Sequence, residues 1–202
     1  MVFCKQNDIL CIADEVMTGF GKTGKYFASE YMVTKPDIMC LSKALTAGFV
    51  PMAITTCTQK IYSAFLSDSM DTAFLHAHTY SANPIACSAA LAGIELMQST
   101  EIQENIETII SSHIKFDKKI CNHPLVSSTR QLGVIYAFDM DIDMQRYGHK
   151  RDEIFNFFMH RGVFLRPLGN TVYILPPFII KTDELNKIYD VIIELLETVS
   201  KT

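Results

Sequence analysis

Ile9-Leu-Cys-Ile-Ala13 runs straight into Asp14-Glu15, and Asp37-Ile-Met-Cys-Leu41 runs straight into Ser42-Lys43. Each is a short, unbroken apolar stretch that stops on polar residues. That pattern predicts strands buried on both faces of a parallel sheet, because a half-solvated strand alternates instead. About 22 residues separate the two runs, enough for a crossover, so a parallel pair is expected. Pro51-Met-Ala-Ile-Thr-Thr-Cys57 is a third, β-branched strand candidate. Asp14 and Lys43 then stand just past the carboxyl ends of neighbouring strands, the edge at which open α/β sheets bind ligands. An acid and an amine at such an edge are costly to desolvate unless they pair or serve a ligand. Spacing leaves both readings open: a structural ion pair, or a site.

Asn83-Pro84 opens a helix, with asparagine as N-cap and proline in the first turn. From Ile85 to Met97 that helix is apolar nearly all round, so burial is expected. A polar amphipathic helix follows near residues 101–120. Gln131–Asp139 and Val172–Leu175 read as strands, with a helix near 151–161 between them. The last helix starts at Thr182, and Leu185, Ile188, Tyr189, Ile192, Leu195, Leu196 and Val199 keep its 3.6-residue period. The expected fold class is α/β. Residues 1–98 read as part of a doubly wound domain, and 99–202 as a smaller α+β domain.

Composition fits a globular chain. Of 202 residues 49% are hydrophobic, and the net charge of −4 supplies no counterion-release term for nucleic acid, so no nucleic-acid partner is expected. No apolar run reaches the roughly 18 residues of a membrane span. No basic stretch followed by an apolar one opens the chain, so a cytoplasmic location without membrane attachment is expected. Six cysteines form no C-x-x-C pair and sit mostly in apolar runs, which favours buried free thiols. Gly21-Lys-Thr23 is no phosphate loop, because the glycine needed five positions earlier is Val16. His76-x-His78 lacks further ligands at metal spacing, so no metal is expected. Phe74, Tyr80 and the methionines are expected in a core or interface.

Ile12-Ala-Asp-Glu-Val-Met-Thr-Gly-Phe-Gly-Lys-Thr-Gly24 followed by Pro36-Asp-Ile-Met-Cys-Leu-Ser-Lys43 resembles the class III aminotransferases, which use pyridoxal 5′-phosphate (PLP). Phe74-Leu-His-Ala-His-Thr-Tyr-Ser-Ala-Asn-Pro-Ile-Ala-Cys87 and Leu165-Arg-Pro-Leu-Gly-Asn-Thr-Val-Tyr-Ile-Leu-Pro-Pro177 extend the resemblance across essentially the whole chain, in family order. It implies the C-terminal part of a PLP-dependent transferase fold type I large domain, a mostly parallel sheet with helices, plus a small α+β C-terminal domain. It also implies roles. Lys43 would condense with the cofactor aldehyde and, once displaced, serve as general base. Asp14 would accept a hydrogen bond from the pyridinium nitrogen and keep that ring protonated. His78 and Thr79 match the place that contacts the cofactor phosphate, with the threonine reaching into the neighbouring subunit's site. A homodimer with shared active sites follows from that. Arg166 would hold a substrate carboxylate. A non-enzymatic remnant of the family is the rival reading.

Met17 stands where most family members carry a glutamine, which disfavours ornithine and γ-aminobutyrate as substrates. Met17, the His76–Tyr80 loop and Pro167–Tyr173 are similar to the branch that moves an amino group, usually from S-adenosylmethionine, onto 8-amino-7-oxononanoate in biotin synthesis. Ala77 replaces the glycine usual in that branch, beside the substrate. The resemblance further implies that the glycine/serine phosphate cup, the aromatic that stacks on the cofactor and several strands belong to an N-terminal portion. This chain is therefore expected to be a C-terminal portion, poorly active alone.

Overall fold

Strand β1 (Ile12–Asp14) lies parallel to β2 (Ile38–Leu41), with Ile12 opposite Ile38 and Asp14 opposite Cys40. Strand β3 (Ile54–Cys57) joins the far side of β2 antiparallel, Leu41 opposite Ile54 and Ile38 opposite Cys57. The sheet is thus mixed, in the order β1-β2-β3, where a mostly parallel one was expected. The computed structural model describes residues 2–199, and the chain divides into two units, Met1–Ser99 and Thr100–Thr202. Its strands and helices are those of an α/β protein.

The first unit also contains α1 (Val2–Gln6), α2 (Gln59–Ser63) and α3 (Pro84–Met97). Asn83 caps α3 as its sequence predicts, its side-chain oxygen accepting from the backbone N–H of Ile85 (2.9 Å) and Ala86 (3.3 Å). Two expectations fail here. The run 9–13 forms a strand only from Ile12, and Ile9, Leu10 and Ile12 are exposed rather than buried on both faces. Helix α3 is buried only along Ala90, Gly93 and Met97, while Ile85, Leu91 and Leu96 face outward. Both failures have one physical cause: β1 is an edge strand, and few described residues cover this sheet or the outer sides of α3.

The second unit is different in kind. Helix α4 (Thr100–Ile120) precedes an antiparallel sheet of β4 (Val126–Leu132), β5 (Ile135–Met140) and β6 (Thr171–Ile174), in that order. Helices α5 (His149–His160) and α6 (Thr182–Thr198) complete it. Alternate residues Tyr136, Phe138 and Met140 of β5, with Val172 and Ile174 of β6, are fully buried beside Ile109 and Phe116 of α4 and Ile192 of α6. Residues 131–139, expected as one strand, are instead a hairpin turning at Gly133, whose φ of 59° is glycine territory. Arg130 and Asp139 face each other across it in a two-pronged pair of 2.6 and 3.0 Å.

All six cysteines are free. Cys57 and Cys121 are exposed and the other four half-buried, so the expectation of buried thiols fails. Phe74 and Tyr80 are exposed too, not core.

Candidate active site

Because β1 and β2 run in the same direction, their carboxyl ends share one sheet edge. Asp14 ends β1 opposite Cys40, and Lys43 lies three residues beyond Cys40. The two do not pair. Asp14 Oδ1 accepts from the Val16 N–H at 3.0 Å, and its other oxygen accepts no hydrogen bond from any described residue. Lys43 is exposed and makes no ion pair with any described residue. A structural ion pair between them is therefore absent among the described residues. What remains is an acceptor aimed by one backbone bond and an uncommitted amine at the same edge.

Lys43 is held unusually. It opens a 3₁₀ turn, Lys43–Thr46, with a left-handed φ of 43°, and Ala47 and Gly48 follow at 51° and 79°. Ser42 Oγ donates to the Met52 carbonyl at 2.7 Å and Thr46 Oγ1 to the Val50 carbonyl at 2.6 Å, closing the loop on itself. Helix α3 presses against this turn. It can do so because residue 93 is glycine: a Cβ there would stand 2.7 Å from the Leu45 carbonyl oxygen. Sequence reasoning missed Gly93, although a lone glycine inside an apolar helix is a signal of close backbone approach.

Glu15, next to Asp14, was also missed. It is 2% exposed, yet its carboxylate accepts from Thr18 Oγ1 (2.5 Å), the Ala28 N–H (3.0 Å) and the Ser29 N–H (2.6 Å). Burial pushes its carboxyl up, but these hydrogen bonds together hold it below the usual carboxylate range. Glu15 thereby folds the 16–29 loop back onto the end of β1, helped by the ring cluster of Phe20, Tyr26 and Phe27. Its backbone partners lie up to 14 residues away, so no local pattern announces them.

The remaining predicted residues spread out. His78, Thr79 and Ala77 are exposed, on the loop leading into α3. There His78 Nδ1 accepts from the Tyr80 N–H at 3.2 Å, and the His78 N–H donates to Ser81 Oγ at 3.1 Å. An open hollow of about 970 Å³ brings this loop to the lysine turn, lined by Ser42, Met52, His78, Tyr80, Ser81 and Asn83 among others. Asp14, Lys43, Ala77 and Thr79 are not in its lining. Arg166 belongs to the second unit, exposed between buried Leu165 and Pro167. Among the described residues no cluster of three metal-ligating side chains occurs, and no helix is long and apolar enough to cross a membrane.

Comparison with known proteins shows the class to which this fold belongs. The family profile "Aminotransferase class-III" matches residues 1–196; the chain belongs to the class-III aminotransferases. Among known proteins it is similar to the adenosylmethionine-8-amino-7-oxononanoate aminotransferase of Synechococcus elongatus, 42% identical over 192 residues, covering 94% of this chain and 45% of the relative. The enzyme of that name from Methanocaldococcus jannaschii is 35% identical, covering 96% and 44%. Its crystal structure superimposes with a TM-score of 0.87 at 32% identity, covering 98% of this chain and 48% of the other. An amine transaminase from an uncultivated Pseudomonas species, solved in a PLP-bound form, also gives a TM-score of 0.87, at 27% identity. The chain spans about half the length of the curated relatives it matches.

Proposed function

We propose that this chain carries the lysine-bearing part of a PLP-dependent transaminase that moves an amino group from S-adenosylmethionine to 8-amino-7-oxononanoate. The observation that carries the reading is the unpaired Asp14 and Lys43 on neighbouring parallel strand ends, in a chain with these relatives. The donor set fits PLP: an amine for its aldehyde and a carboxylate for its ring nitrogen. When bound, PLP supplies a sink for the electron pair left at the substrate Cα. Lys43 Nζ takes the proton from that carbon and returns it on the other side of the transfer. Asp14, aimed by the Val16 N–H, holds the proton on the ring nitrogen by charge and hydrogen bond.

His78 and Thr79 serve the partner's site in a homodimer, where the threonine hydroxyl donates to phosphate. Arg166 forks onto the substrate carboxylate. Ala77 stands beside the substrate, where its extra methyl either crowds the pocket or is absorbed by the loop. A second reading, a family remnant without turnover, draws support from the thin cover over the first unit.

Borohydride reduction after incubation with PLP, followed by peptide mapping, tests the reading. The expected label is on Lys43, absent in Lys43→Ala. Label elsewhere, or transamination by Lys43→Ala at the parent rate, would refute it. Use of ornithine in place of the oxononanoate would refute the substrate assignment alone.

A further inference from the structure

Asp139, near the end of β5, has every acceptor position of its carboxylate in use. Its Oδ1 accepts from Thr171 Oγ1 (2.6 Å) and Arg130 Nη2 (3.0 Å), and its Oδ2 from Arg130 Nη1 (2.6 Å) and Ser128 Oγ (2.7 Å). Ser128, Asp139 and Thr171 stand opposite one another on β4, β5 and β6. Their row lies on the face away from Tyr136, Phe138 and Met140, because side chains alternate along β5. The Arg130 guanidinium, aided by both hydroxyls, holds the carboxyl well below the usual carboxylate range against the opposing effect of burial. The guanidinium is half exposed, so the ion pair itself adds little stability. A carboxylate satisfied at every position instead fixes one arrangement of the strands it joins.

What that arrangement fixes lies just beyond the row. Arg166 has no hydrogen-bond or ion-pair partner among the described residues, so its backbone sets its place. Val163, Leu165 and Pro167 are buried and Phe164, Arg166 and Leu168 exposed, the alternation of an extended segment. Proline at 167 restricts Arg166 to that form. Upstream, the Val163 N–H donates to the Phe158 carbonyl at 3.1 Å. Downstream, Leu168 and Thr171 exchange backbone hydrogen bonds of 2.8 and 3.3 Å around Gly169, whose φ is 62°. This turn is fastened to the end of β5. The Met140 N–H donates to the Asn170 carbonyl (2.8 Å), Asn170 Nδ2 donates to the Met140 carbonyl (3.2 Å), and Thr171 donates to Asp139 as above.

We propose that Asp139 and Thr171 are positioning residues for Arg166: the hydrogen bond between them fixes the Leu168–Thr171 turn, and through it the guanidinium that receives the substrate carboxylate. The proposal rests on the role given to Arg166 above. A binding group held by its backbone alone is only as well placed as the elements that support it.

The test uses the 202-residue chain and phenylglyoxal, a reagent for free guanidinium groups. Modification of Arg166 is read by peptide mass spectrometry over a series of 8-amino-7-oxononanoate concentrations, which gives a half-protecting concentration. Thr171→Val keeps a β-branched strand residue but removes the hydroxyl, and it should raise that concentration about tenfold, while Thr171→Ser returns it to within about twofold of the parent. Asp139→Asn, which also frees Arg130, should raise it at least as far as Thr171→Val. If Asp139→Asn does not fold, the two Thr171 variants decide the matter between them. Chemical unfolding midpoints and hydrogen exchange at the Leu168 amide are measured on the same samples.

An unchanged half-protecting concentration in Thr171→Val overturns the proposal. With a lower unfolding midpoint or faster Leu168 exchange, that result would make the network a purely structural one. A rise in Thr171→Val that Thr171→Ser does not reverse also overturns it. Arg166 left unprotected in the parent would reject its carboxylate-binding role and the proposal with it. Protection that is the same in the parent and every variant would reject the positioning role alone.

Discussion

Acidification should destabilise the second unit through His113. This side chain is fully buried on α4. Its Nε2 lies 3.0 Å from the Val134 carbonyl and its Nδ1 2.7 Å from the Tyr189 hydroxyl. A carbonyl only accepts, so Nε2 carries the proton and Nδ1 accepts from Tyr189. The neutral ring is then fully satisfied, and a second proton would displace the tyrosine hydrogen bond in a site walled by Tyr136, Phe116 and Tyr189. Burial pushes the His113 pKa down from 6.5 to about 4, against the smaller opposing effect of the Val134 carbonyl.

The unfolded chain therefore binds the proton first. The stabilising contribution is complete above pH 6.5, falls as pH drops through the window from 6.5 to 4, and is gone below it. A shift from 6.5 to 4 corresponds to about 3 kcal/mol at about 1.36 kcal/mol per pH unit. Urea unfolding followed by tyrosine near-ultraviolet circular dichroism, at intervals from pH 7 to 4, measures it. His113→Gln, which does not titrate, is the comparison that cancels the carboxylates. Parent and variant should diverge by about 3 kcal/mol across the window. Parallel pH profiles would refute the argument.

Gly93→Ala should move the lysine turn, because its Cβ meets the Leu45 carbonyl oxygen at 2.7 Å; a loss of about 1–3 kcal/mol in thermal unfolding is expected, with weaker Lys43 labelling by PLP. Glu15→Gln keeps the shape but removes the charge from three hydrogen bonds, costing about 2 kcal/mol and speeding hydrogen exchange at Ala28 and Ser29. Since Glu15 is held below the usual carboxylate range, its contribution is present above its unfolded pKa and lost as pH falls through the folded one. The glutamine variant should lack that acid-side loss. Gly133→Ala should cost about 1 kcal/mol in chemical unfolding, since the hairpin needs φ of 59° there.

How much of this was legible depends on where each element finds its cover. Helix α6 reads directly, because Leu185, Tyr189, Ile192, Leu195 and Leu196 keep a period and are all buried within the chain. Helix α3 and the 9–13 run carry the same kind of apolar signal and were misread as buried. A sequence states how much burial a segment requires, not whether its cover lies in the same 202 residues. The hairpin at Gly133 was missed because one glycine inside an apolar run looks like a strand interior. At the site, Asp14 and Lys43 were legible as strand-end punctuation, whereas Glu15 and Gly93 act through contacts distant in sequence.

The backbone at Lys43 has one more consequence. A left-handed φ of 43° suits glycine, and a chain selected for foldability alone would put glycine there. Lysine holds that conformation at a cost that glycine avoids, and its role in the reaction proposed above would account for its presence there. Lys43→Gly should therefore melt higher than the parent, by about 1 kcal/mol of unfolding free energy, while losing all PLP labelling. Lys43→Ala inherits the strain and should show no such gain, so one position separates what the fold prefers from what its chemistry requires.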